Sequence, residues 1–100
     1  MNIFGVKPYN LRLIKLLFAV KVTVVYFAQA RENAGVSEDE FIMGSPVSME
    51  ELFVEAMKAH PRLQEIKDRL SILVNGRYAT SKAELNDGDR VALVPPVGGG

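Results

Sequence analysis

The chain has 100 residues, 48% of them hydrophobic and 24% charged, which suits one folded domain with a modest core rather than a disordered chain. Its formal net charge is zero, so it lacks the basic footprint that phosphate backbones require, and nucleic acid is not an expected partner. It contains no cysteine and one histidine, His60, which removes disulfides, thiolate nucleophiles, persulfide-carrying side chains, and Cys-based or His-cluster metal sites.

Residues 1–19 hold three of the basic residues (Lys7, Arg12 and Lys15) and no acid, leaving nine basic against twelve acidic side chains in residues 20–100. That negative body suits a partner with a basic face. The apolar stretch from Leu11 to Ala30 is interrupted by Arg12, Lys15 and Lys21, so no membrane span is expected, and a cytoplasmic setting is compatible with the composition. Residues 1–19 read as an N-terminal extension. It is either an element packed on the domain or a stretch ahead of a start at Val20, in preference to a targeting segment, because no small-residue cleavage site follows.

In chain order, the first element is Lys21–Ala28, rich in β-branched and aromatic residues, and it predicts a strand. Alternation puts Val22, Val24 and Tyr26 on one face, with Lys21, Thr23, Val25 and Phe27 on the other. Ala28–Gly35 predicts a short helical turn closed by Gly35, and Glu38–Met43 a second strand pairing with the first as a hairpin or meander. Ser48 to Glu51 form a capping box, in which Ser48 meets the amide of Glu51 and the Glu51 carboxylate reaches back to the Ser48 N–H. Val47 and Leu52 are placed as a hydrophobic staple. The helix that follows presents Leu52, Phe53, Ala56, Met57 and Ala59 to the core and stops before Pro61. A second short helix is predicted over Arg62–Leu70, then a strand Ser71–Asn75, a tight turn at Asn75-Gly76, a short strand Arg77–Ala79, a turn over Asn86–Asp89, and a last strand Arg90–Val94. Two opening strands, one main helix and closing strands describe an α+β domain, with a mixed sheet and that helix packed across it. The ubiquitin-like β-grasp arrangement, with first and last strands parallel at the centre, fits this order.

The terminal segment carries the chemistry. Pro95 and Pro96 lack amide donors, end any ladder and favour a stiff extended exit. Val97 can anchor that exit against a partner, and Gly98, Gly99 and Gly100 form a thin tail without side chains. Extended, Val97 to Gly100 span roughly 13 Å at about 3.3 Å per residue. Such a tail suits a narrow channel in another protein, and activation of its end as an acyl-adenylate followed by attack of a sulfur donor gives a thiocarboxylate. That route lets a chain without cysteine carry sulfur.

Over about residues 20–100 the sequence resembles the small subunit of molybdopterin synthase, a ubiquitin-like sulfur-carrier family. The resemblance is carried by KVTVVYFAQARENAG from Lys21, the helix region, and above all LNDGDRVALVPPVGGG from Leu85. It implies that Gly100, preceded by Gly99, is adenylated by an E1-like activating enzyme that uses ATP, and then receives sulfur from a donor protein. The thiocarboxylate then enters the large synthase subunit within a heterotetramer and passes sulfur to a pterin precursor for the molybdenum cofactor. The chain itself is then a non-catalytic subunit that binds no cofactor. Gly98 departs from the family, which commonly has a small side chain there, and residues 1–19 have no counterpart in its compact members. The expected units are therefore the extension 1–19, a domain over 20–96 and a tail over 97–100.

Phe27, with Val25, Ala92 and Val94, is expected to form a partner surface around the exiting tail together with Pro95, Pro96, Val97 and Gly98; burial beneath the N-terminal extension is the competing reading. Arg31 and Glu32 are placed at its rim, Arg31 as a partner contact. His60 is read as a helix-end residue rather than a catalyst, since no nucleophile or metal set accompanies it. The rival functions are a protein modifier conjugated through the same terminus, a thiamine-pathway sulfur carrier, against which the paired prolines argue, and a self-contained enzyme.

Overall fold

The computed structural model describes residues 17–96. A strand β1 (Ala19–Tyr26) leads into a one-and-a-half-turn helix α1 (Gln29–Ala34), then β2 (Glu38–Gly44) and a two-residue strand β3 (Val47–Ser48). The main helix α2 (Met49–Ala59) follows, then two 3₁₀ turns (Pro61–Glu65 and Lys67–Arg69), β4 (Ser71–Val74), β5 (Arg77–Ala79), β6 (Glu84–Leu85) and β7 (Arg90–Val94). Five strands form one mixed sheet in the order β2-β1-β7-β4-β5, and β3 pairs with β6 in a small second sheet. β1 and β7 are parallel; the other pairs in both sheets are antiparallel.

Period-two alternation decides which face of β1 is buried. Val22, Val24 and Tyr26 are fully enclosed, and in register beside them Val91 and Leu93 of β7 join the same core. α2 contributes Met49, Leu52, Phe53 and Ala56 from across the sheet. At about 1.5–3 kcal/mol for each large apolar side chain buried, this single cluster is the main source of stability. The capping box forms in part. The Ser48 hydroxyl accepts the Glu51 amide at 3.2 Å and faces Glu51 Oε1 at 3.2 Å, so the carboxylate meets the hydroxyl and not the Ser48 N–H. Val47 and Leu52, the staple pair, are both buried.

Four expectations are corrected. β1 begins at Ala19 and ends at Tyr26, because Ala28 adopts φ 47°, ψ −123° and turns the chain sharply. Arg62–Leu70 is two 3₁₀ turns instead of an α-helix, separated where Ile66 leaves helical dihedrals at φ −122°. Leu63 and Ile66 are buried all the same. Ala59 is exposed, so the buried stripe of α2 ends earlier than its spacing implies. The short pair β3–β6 was not anticipated, since two residues carry no periodicity.

Candidate functional site

The far face of the sheet, away from α2, is where the sequence placed a partner surface. Register turns single residues into a row: Val25 lies beside Ala92, Ala92 beside Leu73, and Leu73 beside Tyr78. Tyr78 is 82% exposed and Phe27 42%. Val25, Phe27, Ala92 and the Asn75-Gly76 turn line a shallow concavity of about 240 Å³ that Arg90 borders. An apolar row of this length on a solvated face is more than isolated surface residues explain. Tyr78 and Leu73 were missed in the sequence because nothing local shows that β4 lies next to β7 and carries β5 beyond it.

β7 continues past this row to Pro95 and Pro96. Phe27 N–H donates to the Leu93 carbonyl at 3.1 Å, extending the parallel β1–β7 ladder by one bond beyond the strand. Val94, half-buried, pairs with Ser71 as the last ladder residue. Pro95 is buried and Pro96 exposed, so the chain is held through Pro95 before it emerges. Val97, Gly98, Gly99 and Gly100 lie outside the described residues, as do the readings made for residues 1–16.

Phe27 and Arg31 are brought together by a tight turn. Ala30 N–H donates to the Phe27 carbonyl at 2.9 Å, and with Ala28 at positive φ this is a type II′ turn, a geometry that glycine satisfies more easily than alanine. Arg31 N–H then donates to the Ala28 carbonyl at 3.0 Å, opening α1. Arg31 and Glu32 are both exposed and sit within α1 rather than in a loose turn. At the other end of α1, buried Asn33 donates to the Arg62 carbonyl at 2.9 Å, so the rim is tied to the 3₁₀ segment.

The LNDGD motif acts as a structural clamp. Leu85 is buried against β3. Asp87 accepts the Lys21 amide at 2.8 Å while Gly88, at φ 88°, donates to the Lys21 carbonyl at 2.8 Å. Asp89, only 9% exposed, accepts from the Asn86 amide at 2.8 Å and from the Asn75 side chain at 2.9 Å. Asn75 in turn accepts the Arg90 amide at 2.9 Å. The motif therefore fixes the start of β7 against β1 and the β4–β5 turn.

His60 belongs to a separate junction. Its Nε2 is 2.5 Å from Asp39 Oδ2, and Tyr26 donates to the same oxygen at 3.0 Å, with the Tyr26 and His60 rings edge-on at 5.6 Å. Burial, and then the bond to Asp39, push the Tyr26 phenol well above its ordinary range. The arrangement ties β1, β2 and the end of α2, beneath the sheet and away from the exposed row. Among the described residues no group of three His, Cys, Asp or Glu side chains converges as a metal site. Nor is any described helix long and apolar enough to cross a membrane.

Residues 24–100 match the ThiS family, a span that begins within β1 and runs through the terminal glycines. The chain belongs to the ThiS family. Within that relationship it is 37% identical over 83 residues to the molybdopterin synthase sulfur carrier subunit of Chlamydomonas reinhardtii, covering 81% of this chain and all of that protein. SAMP1 from Haloferax volcanii, whose structure is solved, superimposes with a TM-score of 0.75 at 26% identity, covering 80% of this chain and 99% of that one. A chain from the complex of subunits 1 and 2 of the molybdopterin-converting factor of Helicobacter pylori superimposes with a TM-score of 0.58 at 26% identity, covering 81% of this chain and all of that one. The fold is thus the ubiquitin-like β-grasp of this ThiS-family group, with β1 and β7 parallel at its centre.

Proposed function

We propose that this chain is the sulfur-carrier subunit of a molybdopterin synthase, a non-catalytic small subunit whose reactive group is the Gly100 carboxylate. The observation that carries the reading is the family match running through residue 100, on a fold whose central strand β7 ends at Pro95-Pro96 beside the exposed row. An E1-like enzyme would join the Gly100 carboxylate to AMP from ATP, releasing pyrophosphate. Sulfide-level sulfur handed over by a donor protein would then attack the acyl carbon and displace AMP, leaving a thiocarboxylate. In the cytoplasm the loaded tail, Val97 to Gly100, would enter the large subunit of a heterotetramer and donate its sulfur to a pterin precursor. Phe27, Arg31, Val94, Pro95 and Pro96, joined by Tyr78 and Leu73, would seat that partner; the Helicobacter pylori complex of two subunits supports such a pairing. ATP belongs to the activating enzyme, and the chain needs no cofactor of its own.

The test is intact mass after incubation with ATP, an activating enzyme and sulfide. A gain of about 16 Da, oxygen replaced by sulfur, is expected on the full chain and not on a chain lacking Gly100 or extended beyond it. A chain extended beyond Gly100 that still transfers sulfur to the large subunit would overturn the reading. The likeness to SAMP1 favours one further use of the same terminus, an isopeptide bond to lysines of other proteins. Glycine remnants on cellular lysines, absent when Gly100 is deleted, are the outcome expected of it.

A further inference from the structure

On the side of the molecule opposite the exposed row, one face of α2 is left uncovered among the described residues. Val54 is 53% exposed there, with Met57 half-buried next to it. Two adjoining concavities, about 510 and 320 Å³, share Phe53, Val54 and Lys67; Leu70 and Ile72 line the larger. The charges on this face are ordered. Glu50 and Lys58 stand one turn before and one turn after Val54, so acid, apolar and base follow one another along a single stripe. Among the described residues no cation pairs with Glu50, while Lys58 has only an exposed contact with Glu55 at 3.5 Å.

A stripe with opposite charges at equal distances from an apolar centre is complementary to itself when turned around. Two α2 helices laid antiparallel about Val54 place Glu50 of each against Lys58 of the other, and set each Val54 toward the other's concavity. This is the two-fold, same-patch contact that closed dimers use, and antiparallel helix dipoles favour it. A second copy of this chain matches both the charge order and its reciprocity. We infer that the α2 face is a self-association surface, through which a second copy of this chain docks about Val54. The contact leaves the Phe27–Tyr78 row free, so it is independent of the sulfur-carrier reading. Its small apolar area makes it a weak, reversible dimer.

Sedimentation equilibrium on the full chain tests this between about 10 µM and about 1 mM, a range suited to a small interface. The average mass is expected to rise from 11.0 kDa toward twice that value. Val54→Glu, at an exposed helical position, should abolish the rise with an unchanged circular dichroism spectrum. E50K and K58E should each weaken association about tenfold, since each creates two like-charge contacts across the axis. An equimolar mixture of E50K and K58E chains should regain it, because every contact in the mixed pair is then between opposite charges. A constant mass of 11.0 kDa, a rise that survives Val54→Glu, or a mixture no stronger than its separate components would each overturn the inference.

Discussion

Asp89→Ala removes the acceptor at the centre of the turn that leads into β7. Two donors lose their partner, the Asn86 amide at 2.8 Å and the Asn75 side chain at 2.9 Å, in a place where Asp89 is only 9% exposed. Hydrogen bonds to a charged group are worth about 1.5–3 kcal/mol each, and relief of the carboxylate's desolvation offsets part of the loss, so the net cost is about 3 kcal/mol. For a domain of this size that lowers Tm by about 12–24 °C. Asp87→Ala is the control. It forfeits one exposed bond to the Lys21 amide at 2.8 Å and should cost about 1 kcal/mol. Calorimetry, with urea unfolding at 25 °C as a second measure, reads both. Below its transition, the Asp89→Ala chain should still accept sulfur at its terminus, since the clamp acts at the start of β7 and not on Gly100. A change in stability under 1 kcal/mol, or a larger effect from Asp87→Ala, would refute this account of the motif.

The Tyr26 phenol, raised by burial and by Asp39, makes stability fall in alkali. Below about pH 10 both folded and unfolded chains hold this proton; above it the unfolded chain releases a proton that the native chain keeps, so stability drops by up to about 1.4 kcal/mol per pH unit. Tyr26→Phe should flatten that limb in urea titrations from pH 8 to 11, while losing about 1 kcal/mol at neutral pH with its bond to Asp39. Ala28→Gly should raise Tm by about 4–8 °C, because glycine adopts φ 47°, ψ −123° without the Cβ penalty, less its extra freedom when unfolded; an unchanged Tm in a thermal melt would show that the turn is unstrained. Tyr78→Ala should leave stability within about 0.5 kcal/mol, since the ring is 82% exposed, yet weaken large-subunit binding about tenfold or more by titration calorimetry.

Much of the fold was legible where its cause is local. Ser48 as an N-cap, the alternation of Val22, Val24 and Tyr26, Asn75-Gly76 as a tight turn with both residues at positive φ, and Pro61 as the end of α2 each depend on a few neighbouring residues, and each forms. Pro95-Pro96 as the end of the β7 ladder was equally visible, because proline acts through its own backbone chemistry. The tertiary structure decided what depends on neighbours remote in sequence. A two-residue period sorts one strand into two faces but is silent on which strand lies alongside, so Tyr78 could not be read into a row with Val25 until β5, β4, β7 and β1 stood in register. For the same reason the aspartates of LNDGD looked like part of a functional signature. Their bonds run to Lys21 in β1 and Asn75 in the β4–β5 turn, 66 and 14 residues away, and the need to satisfy those amides once β1 and β7 are packed together is what makes the motif structural.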